Sequence, residues 1–148
     1  MPSKNTILKK TNWIYLILQF VIFWLITLIF YSFQIEKYWL LALSVYLLLG
    51  SYLKIMIPKS HRKGLYYLRK GELEGAVFAF QKSYEFFTRF SWIDTYRAFT
   101  LFSTSALSYR EMALMNMVYC YNQLGKKKEA QKFHSLLARD YPNNSFLK

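Results

Sequence analysis

A chain of 148 residues with 20 lysines and arginines against 8 aspartates and glutamates carries a formal charge of +12; its length allows one or two small domains. At 54% hydrophobic and 20% aromatic residues it exceeds the ordinary globular range of about 45–50% apolar. The surplus falls within the first 57 positions, which excludes an ordinary soluble composition, and the single cysteine, Cys120, excludes an intrachain disulfide or a thiolate cluster within one chain.

Residues 1–10 form a basic N-terminus carrying Lys4, Lys9 and Lys10. From Thr11 to Ile35 there is no charged side chain, and at about 1.5 Å of rise per residue that stretch exceeds the roughly 30 Å hydrocarbon core of a bilayer. After Gln34, Glu36 and Lys37, a second apolar run from Tyr38 to Ile57 is broken only by Lys54, whose long stem can carry its ammonium to the interface. The two runs predict a transmembrane hairpin over residues 11–57, with spans at about 12–34 and 38–57. The first run is longer than the roughly 7 to 15 apolar residues of a signal-peptide core. Tyr31-Ser32-Phe33-Gln34 also offers no small-residue cleavage site, so a retained anchor is expected.

Amphipathic rings favour the headgroup level. Trp13 and Tyr15 mark one end of the first span, Tyr31 and Phe33 the other, and Tyr38, Trp39 and Tyr52 the ends of the second. Gln19, Ser44, Gly50 and Ser51 are small or hydrogen-bonding positions suited to helix packing. With no ionisable group at mid-membrane, the spans do not read as an ion path. Lys54, Lys59, Arg62, Lys63, Arg69 and Lys70 surround the exit of the second span, whereas the connecting turn carries only Glu36 and Lys37. The positive-inside rule therefore predicts both termini in the cytoplasm, and an integral protein of a bacterial-type inner membrane is expected. The basic collar predicts anionic lipid headgroups as partners, at about 1 kcal/mol per cation near the surface. The expected membrane-interface residues are Trp13, Tyr38, Trp39, Lys54, Lys59, Arg62, Lys63 and Trp92.

Pro58 separates the second span from residues 58–148 and suits the start of a new helix. Beyond it, one segment carries Gly64, Tyr67 and Gly71, then Ala76, Phe80 and Ser83. A later segment carries Leu114, Met117, Tyr121 and Gly125, then Ala130, Phe133, Leu137, Pro142, Asn143 and Asn144. Both resemble tetratricopeptide repeats, antiparallel helix pairs of about 34 residues. The resemblance implies an all-α fold, with repeat one at 58–90, repeat two at 108–144 and an insertion at 91–107. Thr88 stands where the family prefers a proline, so the helix before it is expected to run on through Phe90. Within the insertion, Ser91 with Asp94 is a capping-box variant and Ser108 with Glu111 a clearer one. Trp92, Ile93, Tyr96, Phe99 and Phe102 gather on one face of an inserted amphipathic helix, with Asp94 and Arg97 opposite and Leu101 interrupting the polar side. That face has three possible partners: the repeat core, the membrane interface or another chain.

His61 and His134 are the only histidines and have no carboxylate or cysteine at ligand spacing, so no metal site is expected. There is no P-loop, dinucleotide fingerprint or nucleophile elbow. Cys120, among apolar helix residues, reads as a structural thiol. Neither a cofactor nor an enzymatic activity is expected. The repeat resemblance implies a protein or peptide partner on the surface lined by the first helix of each pair. The residues there are His61, Leu65, Leu68 and Arg69, then Met112, Met115, Tyr119, Asn122 and Gln123. A membrane-anchored adaptor or scaffold is the leading expectation. The alternative is a structural or regulatory subunit of a membrane complex, assembled through hairpin and insertion, including as a homo-oligomer. Nucleic acid is not an expected partner, because no aromatics interleave with the Lys126, Lys127 and Lys128 run.

Overall fold

A computed structural model describes residues 13–147, apart from the side chain of Ser145, and is all-helical over that range. The expected basic N-terminus lies outside the described residues. Helices α1 (Trp13–Ser32) and α2 (Tyr38–Met56) pack side by side, joined by a short turn. Tyr31 and Tyr38 meet edge to face across that turn at 5.4 Å, and Phe23 meets Tyr46 lower down at 5.5 Å. Both helices are long and apolar enough to cross a membrane, and only 6% and 11% of their most apolar windows are buried. A core helix of a soluble protein would be covered instead.

Ile57 and Pro58 alone separate α2 from α3 (Lys59–Lys70). The missing N–H of Pro58 costs nothing at a helix start, and its carbonyl accepts from the Arg62 amide at 2.9 Å. A tight turn leads to α4 (Leu73–Arg89). The chain then passes through α5 (Ser91–Thr95) and α6 (Arg97–Thr100) to α7 (Tyr109–Gln123) and α8 (Lys127–Asp140), ending in a 3-10 turn at Ser145–Leu147. Neighbouring helices of the series α3, α4, α7, α8 pack antiparallel, with α4 and α7 in the middle.

The α3–α4 and α7–α8 turns are built alike. Gly71 (φ 78°) and Gly125 (φ 70°) take the left-handed conformation that stops each first helix. The amide one residue on, of Glu72 or Lys126, reaches back to the carbonyl of Tyr67 at 3.0 Å or Tyr121 at 2.9 Å. Between the helices, Ala76, Val77 and Phe80 of α4 meet Ala113, Leu114, Met117 and Cys120 of α7, with Leu137 of α8. Gly64 lets the two helices close up, since a Cβ there would lie 2.7 Å from two ring atoms of the fully buried Phe80. Helix α7 starts with the expected capping box: Ser108 Oγ accepts from the Glu111 amide at 3.1 Å, and Glu111 accepts from the Ser108 amide at 3.3 Å.

The insertion differs from its expected form in three ways. It is two short helical pieces bent at Tyr96 rather than one amphipathic helix. Asp94 does not complete a box with Ser91; its carboxylate accepts the amides of Tyr109 at 2.8 Å and Arg110 at 3.0 Å, capping α7 from outside. Asp94 and Arg97 are not on a solvated face but are 1% and 7% exposed, and Leu101, which broke the expected polar side, is fully buried.

Candidate functional site

The insertion joins the two halves of the fold, and one polar position in α1 governs the joint. Gln19 is buried among apolar neighbours, a costly placement unless its amide is hydrogen-bonded. Tyr46 of α2 donates its hydroxyl to Gln19 Oε1 at 2.8 Å, and Gln19 Nε2 donates to the backbone carbonyl of Ala98 in α6. Phe102 continues the contact: its ring lies 5.3 Å from that of Tyr46 and covers Gly50, where a Cβ would approach to 3.2 Å. The Arg97 guanidinium lies 5.1 Å from the ring centre of Tyr15. Beside this joint, a groove of about 450 Å³ is lined by Phe20, Phe23 and Leu43 with Gln19, Lys54 and Thr104 at its polar positions.

Arg97 also organises the loop behind α6, its guanidinium donating to the carbonyls of Asp94 (3.1 Å), Ser105 (3.0 Å) and Ala106 (2.8 Å). Sequence reasoning missed this role because the residue was placed on a helical wheel that the bend at Tyr96 breaks. Gln19 as a packing position was legible, but its partner, a backbone carbonyl 79 residues away, carries no sequence signal.

The nine residues expected to line a partner groove fall into three groups. His61 and Met115 are buried, at 4% exposure each, so they are not available to a partner on the surface. Leu65 and Leu68 are half-buried against the core, and Met112 is half-buried. Arg69, Tyr119, Asn122 and Gln123 are exposed. His61 packs edge to face with Phe80 at 5.4 Å and Tyr109 at 5.2 Å, and its burial lowers its pKa to about 4. Burial likewise pushes the Cys120 thiol up to about 11, and the side chain is fully enclosed.

Of the residues expected at a membrane interface, Trp13, Trp39, Lys54, Lys59, Arg62, Lys63 and Trp92 are exposed, while Tyr38 is half-buried against Tyr31. Lys59, Arg62, Lys63, Tyr66, Arg69 and Lys70 are all exposed on α3 at the three- and four-residue spacing of a single helix face. Lys126 of the second basic run pairs with Glu74 at 3.2 Å. Among the described residues, no three His, Cys, Asp or Glu side chains converge as a metal would require. Comparison with protein-family models, curated proteins and solved structures gave no match.

Proposed function

We propose that the chain is a membrane-anchored interaction module. On this reading α1 and α2 form a hairpin across a bacterial-type inner membrane with both termini cytoplasmic, and a tetratricopeptide-like pair of helical hairpins recruits a protein or peptide at the cytoplasmic face. The observation that carries it is the attachment of the helical stack to the apolar hairpin at two places, Pro58 and the Gln19–Ala98 contact. The matched turns at Gly71 and Gly125 support the repeat reading. The partner surface is then the exposed remainder of the expected groove: Arg69, Tyr119, Asn122 and Gln123. So small a surface gives weak affinity unless anchored copies cluster and raise the effective concentration. The test is alanine at both Tyr119 and Asn122, with affinity recovery of cross-linked partners from native membranes. Unchanged recovery from a folded variant would end the groove assignment.

A second reading, a structural or regulatory subunit of a membrane complex, draws on the exposed aromatic side of the insertion, where Trp92, Tyr96 and Phe99 are 57%, 60% and 46% exposed. Replacing α1 and α2 with an unrelated hairpin separates the two. Retained function favours the cytoplasmic module, and lost function favours the subunit.

A further inference from the structure

We propose that residues 90–102 form a wedge embedded in the cytoplasmic leaflet of the bilayer, with Trp92, Tyr96 and Phe99 in direct contact with lipid. The inference rests on the reading that α1 and α2 span the membrane. Two independent positions give its depth. Gln19, which holds Ala98, lies six residues inside Trp13, and Gly50, which seats Phe102, lies seven residues before Ile57. At about 1.5 Å per residue, both place α6 about 9–10 Å inside the ends of the spans. That matches the roughly 5–10 Å to which interfacial helices bury their apolar faces.

A segment at that depth faces a constraint that a water-exposed loop does not: each backbone polar group needs a partner within the protein. Side chains meet part of it, at three carbonyls of the wedge. Thr100 Oγ1 donates to the carbonyl of Ile93 at 2.7 Å, Arg97 takes that of Asp94 at 3.1 Å and Gln19 takes that of Ala98, while Arg97 also ties down the Ser105 and Ala106 carbonyls of the loop that follows. Meanwhile Ala98, Leu101 and Phe102 are buried and the three large aromatics stay outside. Continuity with the apolar hairpin commits that outward side to lipid rather than to a second protein, and amphipathic aromatic rings suit the headgroup boundary.

The test uses the full chain in liposomes and two single-tryptophan variants. In one, Trp13, Trp24 and Trp39 become Phe, leaving Trp92; in the other, Trp13, Trp39 and Trp92 become Phe, leaving Trp24 in α1. Lipids brominated at shallow or deep acyl positions and aqueous acrylamide are the quenchers. For a residue about 5–10 Å deep, shallow bromines should lower Trp92 emission about twofold, more than deep bromines do, with acrylamide nearly ineffective. Trp24 should be quenched best by the deep positions. If Trp24 is quenched by lipid while Trp92 answers to acrylamide, the wedge proposal falls and the hairpin stands. If Trp92 is shielded from both, a second protein copy covers it, and the proposal also falls. If neither tryptophan responds to bromolipid, the membrane reading itself fails. A nitroxide at Tyr96→Cys in a Cys120→Ser background keeps every tryptophan and gives the same answer from its relative exposure to oxygen and to a soluble nickel chelate.

Discussion

Acidification should loosen this fold through one side chain. His61 sits between Phe80 and Tyr109 with Ser83 Oγ 3.5 Å from Nδ1, and its burial lowers the imidazole pKa from 6.5 to about 4. The folded state therefore keeps the ring neutral while the unfolded chain takes up a proton at its ordinary value. The stability carried by the neutral ring is fully present above pH 6.5, is lost as pH falls toward about 4, and is wholly absent below that. A gap of roughly 2.5 pKa units corresponds to about 3 kcal/mol over the whole window, of which about 2 kcal/mol is gone near pH 5. The assay is denaturant unfolding of the full chain in a mild detergent, followed by near-ultraviolet circular dichroism at about pH 7.5 and about pH 5. His61→Gln retains a hydrogen-bonding group facing Ser83 but does not titrate. Its stability should fall by about 2 kcal/mol less than the parent's on acidification, since all other groups titrate alike in both. An equal pH dependence of parent and variant would refute burial of a neutral imidazole here.

Gly64→Ala should destabilise the stack. The added Cβ falls 2.7 Å from Phe80 ring atoms, an overpacking cost of about 1–3 kcal/mol offset by at most about 1 kcal/mol of helix propensity. Combining it with Phe80→Leu should recover part of the loss in a double-mutant cycle of unfolding free energies, and strict additivity would count against the contact. Asp94→Ala should cost about 1–2 kcal/mol, because it uncaps the Tyr109 and Arg110 amides; Asp94→Asn should cost less, and equal losses would argue against an electrostatic part to the cap. Gln19→Leu should free α6 from the hairpin, read as faster amide exchange over residues 97–102 with that of α7 unchanged; exchange that stays slow would show that Phe102 alone holds the wedge.

What could be read from the sequence divides by the range of the interactions. The two apolar helices, the start of a helix after Pro58, the glycine-stopped turns and the Ser108 capping box are all set by residues within a few positions of one another. Each appears where the pattern put it. Helix α4 ends at Arg89 with Phe90 as its cap, consistent with Thr88 standing where a proline would have stopped it earlier. The insertion failed as a helical wheel because long-range partners outbid local periodicity. Asp94 is drawn to the bare N-terminus of α7, Arg97 to three carbonyls and Ala98 to Gln19, and no single helix satisfies all three. The groove was misplaced at His61 and Met115 for a related reason. Helix α7 lies between α4 and α8, which buries Met115, and His61 of α3 is turned inward against Phe80 of α4 and Tyr109 of α7.

The same contacts set which end of the stack is tied to the apolar hairpin. The start of α3 is tied to α2 through Pro58, and the end of α4 leads through Phe90 into the wedge that docks on α1. The start of α7 is held by Asp94, and the tail after α8 returns to it, with Asn144 donating to Glu111 at 2.5 Å and Ser108 to the Tyr141 hydroxyl at 3.3 Å. Every one of these ties is at the hairpin end. The Gly71 and Gly125 turns therefore lie together at the opposite end, bridged by Glu74 and Lys126. Twelve residues of α3 separate its two ends by about 18 Å along the helix. On the proposed hairpin reading, Lys59, Arg62 and Lys63 at the start of α3 are next to the end of the second span, and Arg69 and Lys70 are at the other end of that helix. Arg69, Asn122 and Gln123 are all exposed near the Gly71 and Gly125 turns, and on the proposed reading that tip is the partner surface.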